Sequence, residues 1–437
     1  MKISAPRGTA DILPAESWKW QAVEKIARDT AELYHFSEIR TPIFEHTELF
    51  HRGVGETSDV VQKETYTFTD RGDRSITLRP EGTAGVVRAM IEHNLIAQEG
   101  SRQKVYYIGP NFRYERPAAG RLRQHYQFGV EAFGVAQPEQ DVECILLQLD
   151  FYRSCGLRDL KLKINSLGDA ESKASYRDML VEFLRPKASQ LSEDSQRRLG
   201  TNPLRILDSK DPRDAQACEG VAPAYSCLSA KSQAHFDQVK KLLESSQVPF
   251  HADGTLVRGF DYYTDTLWEV TASGLGAQDA VGGGGRYDNL VEQLGGRPTP
   301  AVGFGSGLER LLLALESQKI RLPDHRKPLV WLIAQGDAAL PHNLKLMAEL
   351  RRAGFGCDMD LSGRSMKAQL KMADRESAAV CLIVGDNELQ ANQVVVKNMK
   401  TGEQAAVARH NIIGHLKSLN LTSLHQDARS SEPPSEA

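Results

Sequence analysis

Apolar positions recur at helical spacing between Trp18 and Tyr34, where Val23, Ile26, Ala27, Ala31, Leu33 and Tyr34 fall on one side, so the pattern predicts an amphipathic helix. Ser37-Glu38-Ile39-Arg40-Thr41-Pro42 follows as a strand stopped by proline. Alternation on both sides of Asp70-Arg71-Gly72-Asp73 predicts a β-hairpin over Tyr66 to Leu78. Val105 to Tyr114 and His125 to Phe133 predict a second, longer hairpin around a basic, Gly-containing loop. From about Asp169 to Val248 Ser, Lys, Gln, Asp and Arg dominate, with helical patches at Tyr176–Leu184 and His235–Leu243. This segment (169–248) is expected to be a mainly helical insertion. Strands resume over Thr255 to Val270, and Val281-Gly282-Gly283-Gly284-Gly285-Arg286 reads as a glycine-rich turn.

A break falls at Leu322-Pro323-Asp324-His325-Arg326-Lys327-Pro328, read as a linker. Beyond it the periods change to a βαβ-like order. Leu329–Ala334 is expected as a buried strand, Asn343–Ala353 as a helix, Cys357–Asp360 as a strand, Ser365–Ser377 as a helix and Val380–Val384 as another buried strand. A hairpin at Lys400-Thr401-Gly402-Glu403 and a helix at Asn411–Leu419 complete a small α/β domain with a mixed sheet. The expected division is 1–326 for the larger part, insertion included, 327–423 for the α/β domain, and a disordered Pro-rich tail over 424–437.

At 437 residues with 41% hydrophobic and 25% charged residues, the chain can bury substantial cores, which excludes disorder as the main state. The longest apolar run, Ala378 to Val384, is far shorter than the roughly 20 residues that span a bilayer. Nothing after Met1-Lys2-Ile3-Ser4 resembles a signal peptide. A cytoplasmic protein without a membrane partner is expected. With 54 Lys+Arg against 57 Asp+Glu, a polybasic binder is disfavoured, although a local basic site remains open. None of the six cysteines forms a C-x-x-C pair, so ordinary thiols are expected and no protein metal ligand is assigned.

The chemistry concentrates in three stretches. On the second hairpin, strand alternation sends His125, Gln127, Gly129 and Glu131 to one face. Such a face makes poor core and a good pocket floor, with Gly129 expected to leave room for a ligand. Arg113, Arg116, Arg121 and Arg123 crowd the adjoining loop beside Glu115. A lone arginine there would be a solvated charge, but four within eleven residues favour an anion site. Gly303 to Arg310 runs into an apolar helix, and Ser306 with Glu309 has capping-box spacing. Arg310 in a first helical turn opposes the macrodipole unless an anion lies nearby. The third stretch, Leu256-Val257-Arg258-Gly259-Phe260-Asp261-Tyr262-Tyr263-Thr264, is strand-like and by itself a weak signal. P-loop and Rossmann fingerprints are absent.

Together these stretches resemble a class II aminoacyl-tRNA synthetase, and among that class the histidyl-tRNA synthetase family, over nearly the whole chain. Phe36 to Pro42 resembles motif 1, Phe112-Arg113-Tyr114-Glu115-Arg116-Pro117 with Gly120-Arg121 resembles motif 2, and Gly303 to Arg310 resembles motif 3. Arg79-Pro80-Glu81-Gly82-Thr83 is similar to the family's amino-acid loop. Leu256 to Thr264 and Gly283-Gly284-Gly285-Arg286-Tyr287-Asp288 resemble peptides peculiar to the histidine enzymes.

The resemblance implies an α+β catalytic core with an antiparallel sheet flanked by helices, an anticodon-binding α/β domain and a homodimer. It also implies a two-step reaction: histidine attacks the α-phosphorus of ATP to give histidyl-adenylate and pyrophosphate, and the terminal ribose of tRNA then takes the acyl group with release of AMP. The implied catalytic residues are Arg113, Arg258 and Arg310, with Arg258 standing where related enzymes use a metal ion. ATP would be bound by Arg113, Glu115, Arg121, His125, Arg258 and Arg310, with Mg²⁺ on its remaining oxygens. Glu81, Thr83 and Gln127 would face the α-amino end of histidine. Glu131 and Tyr263 would face the imidazole, with Tyr262 and Tyr287 lining the pocket. His125 departs from the phenylalanine common at the adenine-stacking position. Arg116, Arg121 and Arg123 are expected to reach the tRNA acceptor end.

Two rivals share parts of this pattern. One is a non-catalytic paralogue such as the regulatory subunit of ATP phosphoribosyltransferase, which typically lacks both the Arg258–Tyr263 peptide and the C-terminal domain. The other is a synthetase of the same subclass for proline, threonine or glycine.

Overall fold

The computed structural model describes residues 3–55, 58, 60–276, 279–324, 329–419 and 421. The chain divides into two compact units, Met1–Leu322 and Pro323–Ala437. Linker residues 325–328 and the expected tail lie outside the described residues.

The first unit is built on an eight-stranded sheet. Its spatial order is Ser37–Glu38, Gln103–Phe112, Gln124–Phe133, Ala301–Gly307, Ala280–Arg286, Thr264–Ala272, Leu160–Ser166 and Phe250–Ala252. All pairings are antiparallel except the two outermost, where Ser37–Glu38 and Phe250–Ala252 run parallel to their neighbours. The period-2 rule explains the two faces of this sheet. Along Gln124–Phe133 the even positions Phe128, Val130 and Ala132 enter a buried apolar cluster. Val302, Phe304, Leu308 and Leu311 join them there, with Phe151 of the Pro138–Ser154 helix and Ala27 of the Pro14–Leu33 helix. The odd positions are left for the opposite face, where the polar residues and glycines lie. A three-stranded antiparallel sheet, Phe44–His46, Ser75–Leu78 and Tyr66–Thr69, stands apart from the large one.

Two expected elements near the site take a different form. The glycine-rich segment is a strand, Ala280–Arg286, paired on both sides. Glycine is poor strand material unless something must approach closely. Here an ideal Cβ on Gly283 would lie 2.9 Å from the Arg258 guanidinium. One on Gly303, in the next strand, would overlap the Glu131 carboxylate. The glycines therefore hollow out one face of a central, fully paired region. Conversely, the expected strand from Thr255 begins only at Thr264, and residues 254–263 run as irregular loop and turns.

The polar segment between the core strands is helical, with Ala170–Leu184, Glu193–Thr201, Pro212–Ala217 and Ala230–Ser245. Each of these helices has a capping side chain (Asp169, Ser192, Asp211 and Ser229 respectively) that accepts from a first-turn amide. Asp214, buried beneath them, accepts from the hydroxyls of Ser192, Ser195 and Ser209, which holds its carboxyl down at about 2.

The second unit carries a five-stranded sheet in the order Gly356–Met359, Leu329–Ala334, Val380–Val384, Gln393–Asn398 and Gln404–Ala408. The first three strands are parallel and the last two antiparallel, the mixed sheet expected from the sequence. Helices Ala339–Arg352, Met366–Arg375 and Ile412–Ser418 accompany it.

Candidate active site

The hollow face of the large sheet holds a cavity of about 150 Å³ lined by Glu81, Thr83, Tyr107, Arg113, Gln127, Glu131, Arg258, Tyr262, Tyr263 and Tyr287, among others. Six separate chain segments thus converge on one space. All seven residues expected to face histidine are in its lining, as are Arg113 and Arg258. Glu115, Arg121, His125 and Arg310 are not.

The register explains the shape. Gln127 lies opposite Gly109 and Gly307, and Glu131 opposite Gly303, so each polar side chain stands beside a position that projects nothing. Gly129 behaves differently from expectation. A Cβ there would meet the Tyr107 ring at 2.3 Å, so the missing side chain makes room for this cross-strand tyrosine rather than for ligand. Tyr107 is the lining residue that strand alternation alone did not single out; its pairing opposite a glycine was the available signal.

The deep end of the cavity is a closed hydrogen-bond network. Glu131, buried to 1% exposure, accepts from Thr83 Oγ1 at 2.8 Å, from Tyr107 at 3.4 Å and from Tyr287. All three donors are neutral hydroxyls, so burial dominates and lifts the Glu131 carboxyl to about 8. Burial likewise pushes Tyr107, Tyr262, Tyr263 and Tyr287 upward, keeping them protonated donors. Glu81 is satisfied by the backbone amides of Thr83 and Ala84, so it caps the Thr83–Glu92 helix; burial raises its carboxyl too. Asn111 donates to Gln127 Oε1 at 2.7 Å, fixing that amide while leaving its oxygen a second lone pair. Behind this group Arg286 is fully buried, pairing with Asp141 and Asp288.

The mouth is built differently. Arg113 donates through Nε to Pro80 O at 2.8 Å and lies 5.2 Å from the Phe260 ring centroid. Arg258 pairs with Glu269 at 3.1 Å. Arg121 is 3.6 Å from Glu115. Arg123 stacks on Tyr114 at 3.7 Å and donates to Glu115 O, which makes it a brace of its own loop. Arg310 donates to Ala280 O; burial and the neighbouring Arg121 charge lower its pKa. His125 is pushed down to about 3 by burial and by Arg113, so it is neutral at physiological pH.

The expected capping box is absent. The helix starts at Leu308 with Gly307 at its cap and no capping side chain. Ser306 remains in the strand, within 2.8 Å of the Tyr152 hydroxyl. Glu309 instead accepts from the backbone amide of Tyr126 at 2.9 Å, and burial raises it to about 7. The strand has turned into a helix at this point, and the carboxylate continues the ladder with Tyr126.

An antiparallel sheet with a motif 2 hairpin, a strand-to-helix motif 3 and two cavity arginines defines a class II aminoacyl-tRNA synthetase. Comparison with known proteins narrows the class. The histidyl-tRNA synthetase family pattern matches residues 8–311, and an anticodon binding domain matches 329–419. Histidine–tRNA ligases from Geobacillus thermodenitrificans and Natranaerobius thermophilus are 49% and 50% identical over 93% of this chain and 96% and 97% of theirs. The crystal structure of apo Staphylococcus aureus histidyl-tRNA synthetase superposes with a TM-score of 0.80 at 39% identity, over 95% of this chain and 100% of that one. The chain belongs to the histidyl-tRNA synthetase family. Among the described residues no helix is long and apolar enough to cross a membrane.

Proposed function

We propose that the cavity binds histidine at its deep end and the α-phosphate of ATP between Arg113 and Arg258, dividing the work of a known overall reaction. The protein attaches L-histidine to its tRNA through histidyl-adenylate, using ATP and releasing pyrophosphate and AMP. The observation that carries the assignment is the convergence of both arginines with Glu131 and the tyrosines on one cavity.

An anionic carboxylate must approach an anionic triphosphate, and negative charge grows on the phosphoryl oxygens as the new bond forms. Guanidiniums held on separate segments offset both effects without reorganising. The carboxylate is already ionised, so the first step needs no general base. Arg310, Arg121 and Glu115 lie toward the distal phosphates and adenine, with neutral His125 as the stacking surface. Glu81, Thr83 and Gln127 hold the α-amino end of histidine, and Glu131 with Tyr263 hold the imidazole. Tyr262 and Tyr287 close the pocket. Because Thr83 already donates to Glu131, the two ends of the substrate site are linked before substrate enters. A side chain lacking ring nitrogens would have to disturb this pairing without replacing it, which disfavours it without editing.

No cluster of three His, Cys, Asp or Glu side chains suited to a metal occurs among the described residues. Mg²⁺ would be carried mainly by phosphate oxygens, where it would neutralise charge. The proposed homodimer is supported by Leu33, Ile43 and Phe44, exposed at 81%, 42% and 53% around the motif 1 segment. The proposed boundaries are a catalytic part through 326 and an anticodon-reading part from 327, acting in the cytoplasm where translation occurs.

Amino-acid-dependent ATP–pyrophosphate exchange across a panel of amino acids tests the assignment. Exchange with histidine alone is expected. Exchange with proline, threonine or glycine would reassign the pocket, and exchange with none would favour the regulatory paralogue.

A further inference from the structure

The 254–263 segment carries Arg258, Tyr262 and Tyr263, three lining residues, on backbone that forms no strand or helix. Its carbonyls must find partners off the regular ladders. One does so within the sheet, where Asn165 donates to Leu256 O at 2.8 Å. Those of Gly254, Arg258, Asp261 and Tyr263 are reached from the helical insertion. Arg205 donates to Arg258 O at 3.0 Å. Lys173 Nζ donates to both Asp261 O at 3.1 Å and Tyr263 O at 2.9 Å. Asn202 Nδ2 donates to the Asp261 side chain at 3.0 Å. Lys173, Asn202 and Arg205 also line a second cavity behind the segment, none of them facing the substrate cavity.

We infer that the insertion is a clamp on the histidine-activating loop, with Lys173, Asn202 and Arg205 as positioning residues for the adenylation step. Their donors fix the loop's carbonyls on one side, and the same loop then presents the Arg258 guanidinium and the Tyr263 hydroxyl on the other. The ammonium of Lys173 bridges carbonyls two residues apart, which sets the turn that brings Tyr262 and Tyr263 together with ring centroids 4.7 Å apart. Charge-assisted bonds to carbonyls are the stronger kind, so their loss displaces the loop rather than merely loosening it. A misplacement of about 1 Å is sufficient to cost on the order of a hundredfold in rate.

This inference rests on the reading of the cavity as the histidine and ATP site, so the test separates the two. Exchange is measured without tRNA for the full-length wild type and for Lys173→Met, Arg205→Met, Asn202→Ala, Arg258→Ala and Arg205→Lys. Thermal midpoints are recorded for each. A clamp lowers kcat about tenfold and raises the KM for histidine in Lys173→Met and Arg205→Met, with a smaller change in Asn202→Ala. Arg205→Lys, which keeps a cationic donor, recovers most of the loss. A purely structural role would lower the thermal midpoint and the active fraction while leaving the KM for histidine unmoved, and that result overturns the clamp. So does wild-type exchange in Lys173→Met and Arg205→Met alongside a defect confined to the tRNA KM. If Arg258→Ala itself exchanged like wild type, the reading of the cavity would fail first.

Discussion

The deep end and the mouth of the cavity solve opposite problems. At the deep end, Glu131, Thr83, Tyr107 and Tyr287 satisfy one another before any ligand arrives, and the ionisable groups there are pushed toward their neutral forms by burial. At the mouth, Arg113 and Arg121 come from one hairpin and Arg310 from the Leu308–Ser317 helix; burial and then the Arg121 charge lower Arg310, and burial and then Arg113 lower His125. A neutral, pre-paired chamber suits a small ring that must be distinguished from other side chains. A set of cations held close to one another suits a polyanion. Selectivity and catalysis are thus assigned to separate ends of one cavity.

The sharpest way to break this contrast is Arg258→Ala. Removing one preorganised donor to a developing anion costs on the order of 10²–10³-fold, so kcat for histidine-dependent exchange should fall by that amount with discrimination among amino acids preserved. A variant that instead lost discrimination would place Arg258 at the wrong end. Glu131→Ala should do the reverse, lowering kcat/KM for histidine about a hundredfold by leaving the Thr83 and Tyr287 hydroxyls unpaired, with the KM for ATP little changed.

The neutral character of the deep end has its own signature. Folded Glu131 keeps its proton to about 8 against an ordinary value of 4.5. Between these values the folded state binds the proton and the unfolded state does not. Its contribution to stability is therefore fully present below about pH 4.5 and is lost as pH rises toward 8, by at most roughly 1.4 kcal/mol per pH unit. Denaturant titrations of the ligand-free protein should show that decline flattened in Glu131→Gln, and identical slopes would contradict a neutral carboxyl.

Much of the contrast was readable in the sequence, but unevenly. Alternation along His125–Glu131 put Gln127 and Glu131 on the pocket face because a paired strand has a fixed period of two. The C-terminal unit was legible for the same kind of reason: Leu329–Ala334 and Val380–Val384 are continuous apolar runs and form the central parallel strands. Glycine misled. Val281–Arg286 looked like a turn because glycine is intrinsically poor in strands, and what overrides that preference is the close approach of groups from elsewhere in the chain, the Arg258 guanidinium at Gly283 and the Tyr263 ring at Gly285 among them. The Ser306–Glu309 spacing matched a capping box, yet Glu309 has a better partner in Tyr126, 183 residues distant. No local pattern could reveal that. The roles of Arg113 and Arg258 came from resemblance, because neither lies in a segment whose period alone points to chemistry.

Smaller effects belong to the mouth residues that do not line the cavity. Arg121→Ala should raise the tRNA KM or lower kcat in charging by a few-fold; wild-type values for both would remove this loop from the acceptor end. Smallest of all, His125→Phe should keep kcat and leave the KM for ATP unchanged or lower, since a neutral ring is replaced by a larger one. A large loss of kcat would show that His125 does more than stack.

The most direct measurement is a crystal structure with a non-hydrolysable histidyl-adenylate analogue. The imidazole should contact Glu131 and Tyr263, and the phosphate surrogate should lie within hydrogen-bond distance of both Arg113 and Arg258. An analogue bound with its ring away from Glu131, or with either guanidinium turned from the phosphate surrogate, would contradict the division of the cavity into a selective end and a catalytic one.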